Sequence, residues 1–413
     1  MSFTGRDAVQ QPPLVEPRAT LVPAAEAAGR LAGLQAGLSA RGLQAAVIVQ
    51  NADLYYFSGT VQRSFLYVPA AGEATLFVRK LAARARLESP LAGIVELGSP
   101  RDLPGLVAQR YGALPRRVGL ELDVLPVVEY RRLEKLFPEA AFEDIGRDIV
   151  RQRAVKSAWE VERIRAAAAI AVEVCELIPG ILREGLTEAE FAGLVEAQAR
   201  RLGHEGIIRM RGFNQEMFYG QLLTGVSGLA ASYLDAPLAG TGLSPAVAQG
   251  VSFKPIRRGD QVVFDFVAVR EGYIADFTRI FVLGGLPGEL RRAYEAALRI
   301  EAAVVAAARP GVTCEALYDL ALAAAADEGL AASFMGHGAG QVRFIGHGVG
   351  LELDELPVLT TSELELVEGM VFALEPKFVL PGLGAIGVEN TWLVTATGLA
   401  LITEAPEHIR RVG

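Results

Sequence analysis

Residues 261–283, QVVFDFVAVREGYIADFTRIFVL, decide the fold, because two apolar runs flank the dipeptide Glu271-Gly272. Aromatic and β-branched residues dominate both runs, which is typical of two strands joined by a hairpin loop. With that loop Asp265 faces Thr278, and Asp276, two residues from Thr278, lies on the same face of the ribbon. The stretch therefore predicts two carboxylates that point in one direction.

A second stretch, residues 370–394, repeats this arrangement with MVFALEPKFVLPGLGAIGVENTWLV. A turn at residues 381–383 puts Glu375 opposite Glu389 on one face. Four ionised carboxylates inside apolar strands are costly to bury unless they are paired or bound to cations. Because we expect few buried cations nearby, the two acid pairs predict a metal site.

One of only four histidines lies between the two acid pairs, in residues 346–357, GHGVGLELDELP. Glycines surround His347, and we expect them to let the backbone pass close to metals and substrate without interference from side chains. Imidazole adds a nitrogen ligand to the four carboxylates.

Length and charge exclude several classes of protein. The 413 residues carry a net charge of −8 and no lysine- or arginine-rich block, which argues against a nucleic-acid partner. The two cysteines, Cys175 and Cys314, have no CxxC spacing, so we expect buried structural thiols in a reducing compartment. The N-terminus lacks the pattern of a signal peptide and no run of residues predicts a membrane span, which favours a cytoplasmic protein.

The chain divides near residue 155. Residues 1–24 form a lead-in segment, and residues 25–155 alternate helical and strand patterns, which predicts an α/β domain. A long helix around residues 152–170 opens a second domain, residues 156–413.

The second domain contains two similar helices. Residues 185–203 and 311–329 both begin with Gly-x-Thr and both end with glycine. Thr187 with Glu190 also forms a capping box. Each copy precedes strands that carry one acid pair, as a duplicated α+β half-domain would give, although helices with similar caps are also common.

The motifs DFVAVREGYIADFTR, GHGVGLELDELP, GMVFALEP and GVEN together resemble those of the pita-bread metallopeptidases, the family of aminopeptidase P, prolidase, methionine aminopeptidase and creatinase. The resemblance implies a creatinase-like α/β N-terminal domain and an α+β pita-bread catalytic domain with pseudo-twofold duplicated halves. It also implies a homodimer and two divalent ions, Mn²⁺, Co²⁺ or Zn²⁺. Their implied ligands are Asp265, Asp276, His347, Glu375 and Glu389.

In the family's pattern Asp276 and Glu389 bridge the two ions, and a hydroxide between the ions attacks the scissile carbonyl. Glu375 would carry a proton to the leaving nitrogen.

The sequence also departs from the family's pattern. The family usually has a second histidine where this chain has Asp354, and an arginine where it has Gly387. An accessory histidine expected about seventeen residues before the first ligand is also missing. An ionised Asp354 cannot donate a hydrogen bond, so it is protonated, or it binds a cationic group, or Tyr233, His204 or His337 supplies the donor.

Arg209 and Arg211 lie in a polar segment that can line a substrate pocket, where an arginine could bind a substrate carboxylate. The same segment is equally compatible with a domain or dimer interface.

The leading hypothesis is a cytoplasmic two-metal hydrolase that cleaves the Xaa-Pro bond of dipeptides or short peptides, with Glu375 and Asp354 as catalytic residues. Dipeptides are favoured over longer substrates, and the proline preference comes from the resemblance alone. The alternative is a metal-dependent hydrolase of a small non-peptide amide or cyclic amidine, similar to ectoine hydrolase or creatinase. A non-catalytic binding protein is the third hypothesis, against which the intact ligands count. The sequence does not determine the physiological metal.

Overall fold

A computed structural model describes residues 14–16 and 18–413. Most of the predicted lead-in segment, residues 1–24, lies outside the described residues. The chain forms two compact units, residues 1–152 and 153–413. Within the described part of the chain, no helix has both the length and the apolar character needed to cross a membrane.

The first unit is built on a mixed sheet with the strand order β4-β3-β2-β1-β5-β6. Its strands are β1 (Ala45–Ile48), β2 (Ser64–Pro69), β3 (Thr75–Val78), β4 (Ile94–Glu96), β5 (Arg117–Leu120) and β6 (Ala141–Asp144). Its helices are α1 (Ala24–Ala40), α2 (Asn51–Ser58), α3 (Ala82–Glu88), α4 (Leu103–Tyr111), α5 (Val127–Leu136) and α6 (Gly146–Ala154), which ends two residues beyond the unit. β1 pairs antiparallel with β2 and parallel with β5, as expected of an α/β domain with one hairpin.

The second unit combines helices with antiparallel strands. Its helices are α7 (Ala158–Ile181), α8 (Glu188–Arg201), α9 (Gly288–Ala307) and α10 (Cys314–Asp327). Its first strands are β7 (Gly220–Thr224), β8 (Gln261–Arg270) and β9 (Tyr273–Leu283). Its later strands are β10 (Gly346–Gly348), β11 (Glu355–Val358), β12 (Val371–Leu374), β13 (Lys377–Leu380), β14 (Gly384–Gly387), β15 (Asn390–Val394), β16 (Leu399–Leu401) and β17 (Arg410–Val412).

The predicted hairpin is confirmed as β8 and β9. Asp265 pairs directly with Thr278, and the loop consists of Glu271 and Gly272. Both loop residues have positive φ, 52° and 80°, the backbone conformation that matches the twist of the two strands. The loop geometry therefore fixes the register that places both aspartates on one face.

The helix that opens the second unit begins later than its apolar pattern indicates. We predicted a helix around residues 152–170, whereas α7 starts at Ala158. Ser157 and Glu160 form a capping box, in which each side chain bonds to the other residue's backbone N–H. This cap separates α7 from α6. The predicted caps of α8 and α10 are confirmed, since the Thr187 and Thr313 hydroxyls accept from the backbone of Glu190 and Ala316.

Two apolar cores in the second unit correspond to its two halves. One core joins α7 and α8 to the hairpin β8–β9, whose phenylalanines, among them Phe264 and Phe277, are fully buried. The other joins α9 and α10 to β12, β13 and β14. Each half thus has a pair of helices packed on strands that carry one pair of acids, in agreement with the predicted duplication.

Candidate metal centre

Five side chains that are far apart in the sequence line one cavity in the second unit, together with Lys377 and Asp354. The five are Asp265, Asp276, His347, Glu375 and Glu389. All five are buried, with at most 8% of their surface exposed. The structure therefore brings together every residue that the sequence predicts as a metal ligand.

The first acid pair lies on the hairpin β8–β9. The backbone of Asp276 is held by the Thr391 hydroxyl. The Asp276 N–H donates to this hydroxyl over 3.1 Å, and the hydroxyl donates to the Asp276 carbonyl over 2.7 Å. Among the described residues, Asp276 Oδ1 has no hydrogen-bond partner, although it is buried. A buried carboxylate oxygen without a partner is costly, which indicates that a cation belongs there.

The second acid pair lies between two sets of paired strands. Leu374 pairs with Asn390, and Lys377 pairs with Gly387. Both pairs have the same register, and this register places Glu375 across from Glu389. The predicted opposition of the two glutamates is thereby confirmed.

His347 presents one ring nitrogen to the acids. Its Nδ1 lies 3.0 Å from the Leu353 carbonyl oxygen, and a proton on Nδ1 leaves the Nε2 lone pair free. Nε2 lies 3.9 Å from Asp276 Oδ2 and 3.8 Å from Glu375 Oε1. This is the orientation that a metal-binding imidazole requires.

The glycines beside His347 serve strand packing, which corrects our expectation that they give metals and substrate room. A Cβ on Gly346 would lie 2.3 Å from the Ala373 carbonyl oxygen, and one on Gly348 would lie 2.3 Å from that of Leu356. β10 is therefore too close to its neighbours β12 and β11 for side chains at these positions.

A lysine that the sequence analysis missed lies among the acids. Lys377 is 2% exposed, and its Nζ donates to Asp265 Oδ2 over 2.9 Å, Glu375 Oε2 over 2.6 Å and Glu389 Oε2 over 2.8 Å. The expectation of few buried cations was wrong at this position. A signal existed, because strand alternation puts residue 377 on the same face as Glu375.

Burial and mutual repulsion shift the pKa values of these acids. Burial raises the pKa of Asp265 to about 6 and that of Glu375 to about 7, although the Lys377 ammonium opposes both shifts. Burial, and then the charges of Glu389 and Asp265, raise the pKa of Asp276 well above its usual range. More positive charge than Lys377 supplies is thus needed to keep every acid ionised.

The donor set fits a divalent ion. Asp276, His347 and Glu389 each offer one ligand atom, and these atoms lie within 4.8 Å of one another. Two carboxylates and one imidazole suit borderline ions such as Mn²⁺, Co²⁺ and Zn²⁺. Asp276, whose Oδ1 lacks a hydrogen-bond partner among the described residues, is a member of this set, which supports the fit.

A buried ion network holds the loop after His347. The Glu355 carboxylate pairs with Arg153 and with Lys156 Nζ, the latter over 3.0 Å. The same carboxylate accepts from the backbone N–H groups of Leu351 and Glu352. Because the loop is fixed at both ends, Asp354 is held with its Oδ1 3.8 Å from His347 Nδ1.

The predicted substrate residues lie outside the described lining of this cavity. The Arg209 carbonyl accepts from the N–H of Leu353, and Arg211 lies 3.4 Å from Glu352 in the ion network. Tyr233 is 57% exposed, and its hydroxyl lies 3.2 Å from Gln249 Nε2.

Two histidines considered as donors have other surroundings. His337 lines a separate cavity, and its Nδ1 lies 3.1 Å from the Ala332 carbonyl oxygen. His204 stacks on Tyr219, and both of its ring nitrogens bond to backbone groups.

Comparison with known proteins gives the family. The model of metallopeptidase family M24 matches residues 162–396, and that of the creatinase/prolidase N-terminal domain matches residues 30–155. The chain belongs to metallopeptidase family M24. The M24 match contains all five predicted ligands, and the two matches together confirm the predicted fold class.

The relatives of this M24 chain match it almost from end to end. It is 29% identical over 375 residues to a Xaa-Pro dipeptidase of Pyrococcus horikoshii, which covers 89% of this chain and 94% of the relative. The crystal structure of the dipeptidase PepE from Mycobacterium ulcerans is 28% identical, with a TM-score of 0.76 over 95% of this chain and 100% of that one. The prolidase structure from P. horikoshii is 25% identical, with a TM-score of 0.76 over 92% of this chain and 99% of that one.

Proposed function

We propose that this chain is a metal-dependent peptidase that hydrolyses the Xaa-Pro bond of dipeptides or short peptides. The observation that carries the proposal is the convergence of Asp265, Asp276, His347, Glu375 and Glu389 on one buried cavity. The proline preference is supported by the relatives that are Xaa-Pro dipeptidases and prolidases.

Asp276, His347 and Glu389 would hold a divalent ion. When bound, such an ion polarises a carbonyl oxygen and lowers the pKa of water. The resemblance implies two divalent ions, and elemental analysis of the purified protein would measure how many are bound.

Glu375 is the side chain proposed to move a proton. Its carboxyl group lines the cavity, and a carboxylate can accept and release a proton. Its Oε1 lies 3.8 Å from His347 Nε2, so the carboxyl group is next to the proposed ion. We assign it the transfer of a proton to the leaving nitrogen.

Asp354 is proposed to contact the substrate, because it lines the cavity and its side chain is 37% exposed. Its carboxylate would bind a cationic group. This position also favours the second candidate function, hydrolysis of a small amide or cyclic amidine, because an amidine carries the positive charge that a carboxylate binds.

Activity measurements on purified protein loaded with Mn²⁺, Co²⁺ or Zn²⁺ test the proposal. The substrate panel contains Xaa-Pro dipeptides, longer Xaa-Pro peptides, dipeptides without proline, and non-peptide amides. We expect the highest kcat/KM on Xaa-Pro dipeptides. If the protein hydrolyses non-peptide amides but no peptide, the second candidate function is established instead. The cytoplasm and the homodimer remain predictions, as do substrate roles for Arg209, Arg211, Tyr233 and His337.

A further inference from the structure

The ammonium group of Lys377 is positioned as a metal ion would be. Its three carboxylate partners come from three separate segments: Asp265 from β8, Glu375 from the end of β12 and Glu389 from the start of β15. All three partner distances lie between 2.6 and 2.9 Å. One nitrogen with three carboxylates around it fills the space between them.

The cross-strand neighbour of Lys377 explains how the side chain reaches this place. Lys377 pairs with Gly387, and a Cβ on Gly387 would lie 2.6 Å from Lys377 Cγ. The same Cβ would lie 2.7 Å from Lys377 Cα and from the Pro376 carbonyl oxygen, so any larger residue at 387 would displace the backbone as well as the lysine stem. Gly387 is also where the resemblance places an arginine, so this chain lacks a cation at 387 and has one directly across the strand pair.

A divalent ion and this ammonium group cannot use the same oxygens together. Metal–oxygen bonds to carboxylates are about 2.0–2.2 Å long, which would place the ion in the space that Lys377 Nζ fills. Two cations so close would also repel each other strongly in a buried site of low dielectric. The position between these three carboxylates is therefore closed to a metal while the lysine stays.

The remaining ligand atoms define one other position. Asp276 Oδ1 has no hydrogen-bond partner among the described residues, and His347 Nε2 faces the acids. Asp276 and His347 form, together with Glu389, the set of residues whose ligand atoms fit one ion. Lys377 does not contact Asp276 or His347 in the described contacts, so this position stays open.

We infer that the centre binds a single divalent ion at Asp276, His347 and Glu389, and that Lys377 supplies the second positive charge in place of a second ion. This inference deepens the proposed function, because it specifies the metal content of that site. Lys377 acts by holding Asp265 and Glu375 in place, and we regard it as a positioning residue.

The test is the number of ions bound by the full chain. Protein stripped with chelator is titrated with Mn²⁺, desalted and measured by elemental analysis, and bound Mn²⁺ is also examined by electron paramagnetic resonance. We expect one ion per chain and the signal of an isolated ion. Lys377→Met, which removes the charge but keeps a long side chain, should allow a second ion and the altered signal of a spin-coupled pair.

Lys156→Met is the matched control, since Lys156 is equally buried but pairs with Glu355 outside the metal cluster. It should leave the ion count at one. Circular dichroism and gel filtration identify the variants that keep the fold. If Lys377→Met does not fold, the number of Mn²⁺ ions bound by the wild-type chain still tests the inference.

Two ions in the wild-type chain would overturn the inference, and so would a folded Lys377→Met that still binds only one. Neither result affects the proposed peptidase activity, which is measured separately with Xaa-Pro peptides. Conversely, a chain that binds one ion but cleaves no peptide would refute the proposed function and leave the metal content standing.

Discussion

The Thr278 hydroxyl donates a hydrogen bond of 2.8 Å to Glu389 Oε2, and the Thr278 N–H donates to the Glu389 carbonyl over 3.2 Å. These two bonds join the hairpin β8–β9 of one half to the strands of the other. Glu389 is a proposed metal ligand. The hydrogen bond from Thr278 fixes the orientation of its carboxylate.

Replacing Thr278 by valine should therefore weaken metal binding. Loss of a hydrogen bond to a metal ligand typically lowers affinity by about 10–100-fold. Isothermal titration with Mn²⁺ or Co²⁺ measures the change. Thr278→Ser keeps the hydroxyl and should bind nearly as tightly as the parent, and equal affinity of the valine and serine variants would contradict the orienting role.

Replacing Glu375 by glutamine should reduce turnover while the ion stays bound. The amide keeps the size of the side chain but cannot accept and release a proton, and general acid–base groups typically contribute about 10²–10⁴-fold to rate. Steady-state kinetics on an Xaa-Pro dipeptide and metal analysis of the same preparation check both parts. Turnover within a few-fold of the parent would remove the proton-transfer role.

Replacing Asp354 by histidine should change the enzyme's preference among substrates. A histidine can donate a hydrogen bond to an oxyanion, which the ionised aspartate cannot, so kcat/KM on Xaa-Pro peptides should rise by about tenfold or more. Activity on cationic amides should fall. If neither kcat/KM on Xaa-Pro peptides nor activity on cationic amides changes, residue 354 does not contact the reacting groups. Asp354→Asn is the control that removes the charge alone.

Replacing Glu355 by glutamine should destabilise the protein by about 3 kcal/mol near neutral pH, because it removes the carboxylate that pairs with buried Lys156 and one of the two that pair with buried Arg153, which keeps Glu352. Burial alone would raise the pKa of Glu355, but the two cations lower it from 4.5 to about 2. A carboxyl group with a depressed folded pKa stabilises fully above its unfolded pKa and loses that contribution as the pH falls toward the folded value.

The difference between Glu355→Gln and the parent should hence be largest at pH 7 and shrink below about pH 4.5, where the unfolded carboxyl group takes up a proton. Urea unfolding at several pH values measures it. Glu363→Gln, at an exposed position of the same unit, should change stability little at any pH. A difference that stays constant with pH would show that the Glu355 charge is not the cause.

The local parts of the site were predictable from the sequence. Alternation and the Glu271-Gly272 loop set the register of Asp265 with Thr278, and the turn at residues 381–383 set that of Glu375 with Glu389. Strand register depends on neighbouring residues and on loop length, so a single sequence contains it.

The amino-acid sequence alone was thus sufficient to predict the two acid pairs, the histidine between them and the family they resemble. The position of Lys377 Nζ between three acids depends on tertiary contacts, and so does the lack of a hydrogen-bond partner for Asp276 Oδ1 among the described residues. The middle of β8 meets the end of β12 and the start of β15 through contacts between residues more than a hundred positions apart in the chain. Local patterns do not encode those distances, and whether a buried charge pairs with lysine or with metal depends on them.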